Sequence, residues 1–167
     1  TRFGIHLKDA GQFSANGKDE AEFYLALNPG EPVKPLENIA SGGELSRIML
    51  AIKTVLADAE DTPTLIFDEI DAGISGVTAA KVGEKLKLIG KSRQVICITH
   101  LSQIAAVADS HFLIEKSAEN ESVKTRIRLL NEEDSVKELA RILGGDKITS
   151  SIMESAREMK EMAKSEI

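Results

Sequence analysis

Two adjacent carboxylates close the apolar run "TLIFDEID", where Asp68 and Glu69 follow Leu65, Ile66 and Phe67. A short continuous apolar run reads as a strand of a buried parallel sheet, and open α/β sheets bind ligands at the carboxyl ends of such strands. Successive side chains at a strand end point in different directions, so the pair can divide two tasks. One acid can hold Mg2+, often through water, while its neighbour orients or deprotonates an attacking water. A strand followed by an acidic turn is the plain alternative, and "DE" by itself favours it. A second run, "VICITH", brings His100 to the same presumed sheet edge. Its imidazole can donate to a phosphate oxygen or cap a helix beginning near Leu101, and taken alone the cap is the simpler reading.

The stretch "IASGGELSR", residues 39–47, sets a serine and two glycines before a glutamate and a helical apolar pattern. Ser41 and Glu44 have the spacing of a capping box. The glycines equally suit an anion that approaches unpaired N–H groups at the positive end of a helix dipole. An early helical position tolerates a Cβ, so Gly43 is expected to matter for close approach of a phosphate and hardly at all for stability.

These residues need elements to position them. "RFGIHLK" and "AEFYLAL" read as two strands around a polar loop, "DAGQFSANGKDE". "NPGEPVKP" carries three prolines in eight residues and reads as a stiff connector without regular structure. Leu45, Ile48, Met49, Ile52, Val55 and Leu56 recur at helical spacing, which predicts a long amphipathic helix ending near Asp61. The periodic segment from Val77 to Ile89 lies between the two apolar strands, the pattern of a parallel sheet covered on both faces. A short helix is expected around Leu101 to Ala108. After it, "HFLIEK" and "VKTRIRL" bracket "SAENES" as a second hairpin, with Val123, Thr125, Ile127 and Leu129 buried and Lys124, Arg126 and Arg128 in water. Two helices follow, one near Asp134 to Leu143 before Gly144 and Gly145, the other from about Thr149. His6 and His111 stand beside no acidic or cysteine cluster in the sequence and receive no function.

With 167 residues the chain fits one globular domain. Its 42% hydrophobic and 29% charged residues suit a soluble protein, and no apolar run approaches the roughly 20 residues a membrane span needs. No signal peptide is visible at Thr1, and a start without Met is compatible with an excised fragment. Cys97 has no partner for an internal disulfide, which is compatible with a reducing cytoplasm. A formal charge of −6 argues against a general nucleic-acid binder, and the Lys124, Arg126 and Arg128 stripe reads as a solvated face before it reads as a DNA contact.

The ordered set "SGGELSR", "TLIFDEID", "GISG" and "VICITH" resembles the C-terminal lobe of an ABC-type ATPase head of the SMC-like group. The wording "NPGEPVKPLENIASGGELSRIMLAIK" with "FDEIDAGISG" resembles, more narrowly, a bacterial DNA repair branch of that group. The resemblance implies an α/β fold with a mainly parallel sheet core, flanking helices and peripheral antiparallel hairpins, and makes residues 1–167 one lobe of a split head. It implies ATP and Mg2+ as cofactors, Asp68 as the metal ligand, Glu69 as the base, and His100 as the contact to the γ-phosphate. Ser41, Gly42, Gly43 and Glu44 would be the signature that meets ATP held by an opposing head, and Gly73, Ile74 and Ser75 the D-loop. Ser75 stands where many such ATPases carry an aspartate, so no carboxylate role transfers there.

No G-x-x-x-x-G-K-[ST] phosphate loop occurs in the chain, and "LGGDKITSS" has its glycines and lysine at the wrong spacing. The implied partners are therefore an N-terminal Walker A lobe of the same protein and a second head in an ATP-dependent homodimer, with DNA met through the full-length protein and no membrane. The implied setting is the bacterial cytoplasm at the nucleoid, in double-strand break repair and recombination. Two other readings are the head lobe of another SMC-like ATPase and a non-catalytic head-assembly module.

Overall fold

The computed structural model describes residues 1–38, 41–56, 61–119 and 122–165. Its centre is a parallel pair, β4 (Thr64–Phe67) and β5 (Gln94–Cys97), in the register Thr64↔Gln94 to Phe67↔Cys97. The crossover between them is α2 (Gly76–Gly90), as a parallel connection requires. One face of the pair is apolar and buried. Leu65 and Phe67 pack there with Leu50 of α1 (Gly42–Val55), with Ala79, Val82, Leu86 and Ile89 of α2, and with Ile104 of α3 (Ser102–Ala105). Gly83 lets α2 and α3 approach closely, since a Cβ there would lie 3.1 Å from the Gln103 carbonyl oxygen. A second core joins Ala105 and Ala106 to Val136, Leu139 and Ala140 of α4 (Glu132–Gly144) and Ala156 of α5 (Ser150–Ser165).

The opposite face of the parallel pair is open: Ile66 is 68% exposed, Ile96 44% and Ile98 49%. The expectation of a sheet covered on both faces therefore fails, because among the described residues helices pack on one side only. Antiparallel ladders flank the core. β1 (Arg2–Ser14) and β2 (Gly17–Ala26) form a hairpin, and Lys34–Pro35 adds a short third strand, β3, beside Tyr24 and Leu25. A single 3-10 turn, Leu36–Asn38, follows it. β6 (Phe112–Glu119) and β7 (Ser122–Leu129) form the other hairpin.

Three expectations need correction. Most of "DAGQFSANGKDE" is strand, broken by an irregularity between Asp9 and Ser14 at which Gly11 takes φ 77°. Cross-strand ion pairs at 2.6 Å, Lys8 to Glu22 and Lys18 to Asp9, brace this part of the ladder, and charge pairing leaves no apolar alternation to read. The connector "NPGEPVKP" gives up one short pairing at Lys34–Pro35. The helix expected to run to about Asp61 ends at Val55, with the Leu56 N–H bonded to the Ile52 carbonyl; residues 57–60 lie outside the described residues. The middle of the expected "SAENES" loop, residues 120 and 121, also lies outside them.

Candidate functional site

The parallel register carries two chain segments out of the same sheet edge. The Ile98 N–H donates to the Phe67 carbonyl at 3.0 Å, so Asp68–Glu69 and Thr99–His100 diverge from one point. Past β4 the chain turns sharply. Glu69 has φ 57°, the one positive φ outside glycine among the described residues, a conformation that costs an ordinary side chain about 1–2 kcal/mol. Asp68 Oδ1 accepts the Glu69 N–H at 2.9 Å, and the Glu69 carbonyl accepts the Ala72 N–H at 3.0 Å, which hold the turn locally. Both carboxylates of the expected pair are exposed, while Ile70 and Asp71 directly after them are buried.

The first turns of α1 lie against this loop. Ser41 is the N-cap, and its hydroxyl accepts the Glu44 N–H at 3.5 Å, so the capping reading has a structural basis. Ser46 Oγ donates to the Asp68 carbonyl at 2.9 Å, and Arg47 Nη1 donates to the carbonyls of Ile70 at 3.0 Å and Ala72 at 2.8 Å. A Cβ on Gly42 would come within 2.6 Å of Glu69 Oε2. One on Gly43, which is buried, would come within 2.8 Å of both the Glu69 carbonyl oxygen and the Ala72 Cβ. The expectation that position 43 tolerates a side chain is therefore wrong: the glycine is needed for backbone packing inside the lobe.

The His100 ring stands in the open, with its side chain 76% exposed. It does not cap α3, whose N-cap is Leu101 and makes no side-chain cap bond. Its Nδ1 is 3.0 Å from Asp71 Oδ2, and the same oxygen accepts the His100 N–H at 2.8 Å and the Thr99 hydroxyl at 2.6 Å. Burial by itself raises the Asp71 pKa, but the Thr99 hydroxyl, the His100 amide and the imidazole outweigh it and hold the carboxyl below its ordinary range. Cys97 is pushed up to about 12, first by burial and then by Asp71 and Asp68, so its thiol stays protonated at neutral pH.

Gly73 and Gly76 both take positive φ, Ile74 packs on the core, and Ser75 is exposed and caps α2 without a side-chain bond. Sequence spacing picks out the acids, the histidine and the glycines as candidates, and the structure sets Gly42 and Gly43 against Glu69 and His100 beside Asp71 past the ends of the parallel pair. It misses Asp71, Thr99, Ser46 and Arg47. The available signal was an acid set between apolar Ile70 and Ala72 directly after a buried strand. Among the described residues no three His, Cys, Asp or Glu side chains converge to hold a metal ion.

Comparison with known proteins gives this edge a context. The DNA repair protein RecN of Halalkalibacterium halodurans is 47% identical over 153 residues, which is 92% of this chain. RecN of Vibrio cholerae is 44% identical over 159 residues, or 95% of it. The chain is a RecN homologue. It spans little more than a quarter of RecN, 27% of the first relative's length and 29% of the second's. No family model matches it. Among solved structures, an SMC head domain with a coiled coil and joint from Pyrococcus yayanosii superposes with a TM-score of 0.55 at 27% identity, over 82% of this chain and 25% of that one. An SMC ATPase studied for ATP-driven dimerization and DNA-stimulated activation gives a TM-score of 0.50 at 28% identity, over 87% of this chain and 84% of that one. The RecN-like chain therefore has the α/β fold of SMC ATPase heads, and no described helix is long and apolar enough to cross a membrane.

Proposed function

We propose that this chain is the C-terminal lobe of a split ATPase head, acting in DNA double-strand break repair and recombination once a lobe bearing the phosphate loop joins it. The open face of the parallel pair carries this reading. Parallel sheets are stable when both faces are covered, yet Ile66, Ile96 and Ile98 are left in water directly behind the edge that bears Asp68, Glu69 and His100. A second lobe would cover that face and bring phosphates to that edge. In the joined head Asp68 would hold Mg2+, which supplies charge neutralisation on the phosphates. A single carboxylate suits an ion that keeps several waters and phosphate oxygens as its other ligands. Glu69 would orient the attacking water and accept its proton, and His100 would donate to the γ-phosphate.

Ser41, Gly42, Gly43 and Glu44 would complete the site of a second head in an ATP-held homodimer, with Gly73, Ile74 and Ser75 beside that junction. DNA would be engaged by the full-length protein, in the bacterial cytoplasm at the nucleoid. The test is turnover. This chain alone should not hydrolyse ATP at a measurable rate, and mixing it with a RecN lobe that carries the phosphate loop should restore hydrolysis. Turnover by the chain alone at the rate of a complete head would overturn the split-head reading.

A further inference from the structure

Among the described residues Asp71 is the one buried acid, 3% exposed, and the roles proposed above leave it unused. One of its oxygens, Oδ2, accepts hydrogen bonds from the Thr99 hydroxyl at 2.6 Å and the His100 N–H at 2.8 Å, and stands 3.0 Å from His100 Nδ1 as an ion-pair contact. Thr99 Oγ1 in turn accepts the Leu101 N–H at 3.0 Å, so the chain leaving β5 is tied on both sides of His100. A carboxylate on the turn after β4 thereby fixes main chain and ring at the end of β5.

We propose that Asp71 is the positioning residue for His100, accepting the Nδ1 proton and leaving Nε2 as the atom presented at the open sheet edge. A carboxylate on Nδ1 sets which ring nitrogen bears hydrogen, as it does for metal-bound and catalytic histidines. The consequence is chemical. A neutral ring that donates through Nδ1 has a bare Nε2, which can only accept, and a phosphate oxygen also only accepts. To donate to a phosphate oxygen, Nε2 must carry a proton as well, and the Asp71 carboxylate then stands as the counter-charge beside the ring. A donor fixed in this way favours the negative charge that develops during phosphoryl transfer. This step rests on the reading of His100 as a phosphate contact; the tautomer does not.

Two measurements separate those layers. In the uniformly 15N-labelled chain without nucleotide, His100 should show a protonated Nδ1, either with Nε2 bare or with both nitrogens protonated, its signals being identified by their loss in His100→Gln. A ring protonated at Nε2 alone overturns the proposal, and this result needs no variant of Asp71 to fold. In the head assembled with its phosphate-loop lobe, Asp71→Asn should lower kcat for ATP about 10- to 100-fold with KM nearly unchanged, the range found where a residue orients a functional histidine. In a His100→Gln background the same change should add almost nothing, and full additivity of the two losses would overturn the positioning role. Undiminished turnover in His100→Gln alone would instead overturn the phosphate reading of His100, with the tautomer still deciding the part played by Asp71.

Discussion

Gly42 and Gly43 begin the same helix, but the atoms their side chains would strike differ in kind. At Gly43 they are the Glu69 carbonyl oxygen and the Ala72 Cβ at 2.8 Å, fixed parts of a turn. At Gly42 the obstacle is Glu69 Oε2 at 2.6 Å, the far end of a side chain that can swing away. Gly43→Ala is therefore expected to destabilise the chain by about 1–3 kcal/mol, the usual cost of overpacking. Gly42→Ala should leave stability level or raise it by up to about 1 kcal/mol, because it removes glycine flexibility from a helix. In the assembled head Gly42→Ala should still slow hydrolysis, since the displaced carboxylate is the proposed base. Urea unfolding of both variants checks the first point, and equal midpoints would sink the packing account. Asp68, Glu69 and His100 are legible in the sequence because each follows an apolar strand. Asp71 is not, because its use depends on contacts 28 and 29 residues away.

Helices and strands are recovered where burial writes a pattern into the sequence, a period in α1, α2 and α4 and a continuous apolar run in β4 and β5, and recovery falters where it does not. In β7 the alternation of Val123, Ile127 and Leu129 with basic residues is real, but these apolar side chains are 69%, 67% and 57% exposed, against the expectation that they are buried. Alternation shows that a strand has two unlike faces and is silent on what lies against either. The contact between α4 and the residue just before β6 is invisible for a related reason. His111, which the sequence leaves without a role, has Nδ1 2.8 Å from Ser135 Oγ. Burial, and then nearby Lys160, lower its pKa, with Glu138 opposing. The fold thus holds neutral a histidine that the unfolded chain protonates below about pH 6.5. The stability this contributes is present above that pH and is lost as pH falls through the lower folded value. Urea unfolding of the parent between about pH 7 and pH 5 should show a decline that His111→Gln flattens. Equal slopes in the two proteins would remove His111 as the cause.

At the scale of the whole molecule the largest departure from expectation is apolar surface in water. Besides Ile66, Ile96 and Ile98, the first hairpin exposes Phe3, Ile5, Leu7 and Phe23 at 62%, 54%, 68% and 42%. Pairing of Phe3 with Leu25 and of Ile5 with Phe23 sets these side chains on one face of the ladder. A sequence cannot report that a face buried in an assembly is bare in one of its parts, because the same residue types serve both states. Large bare patches mark surfaces built to be covered. If the joining lobe covers the parallel pair, Ile66→Lys with Ile96→Lys should prevent reconstitution of ATP hydrolysis on mixing. The unfolding midpoint of the chain by itself should stay close to the parent's, because neither side chain contributes to its buried core. The pair of readouts separates the alternatives. Reconstitution at the parent rate, with the double variant folded, would move the junction to another surface, the exposed hairpin face first. A large fall in the midpoint would mean that the two isoleucines already support this chain's own packing, and the open face would then no longer argue for a missing lobe.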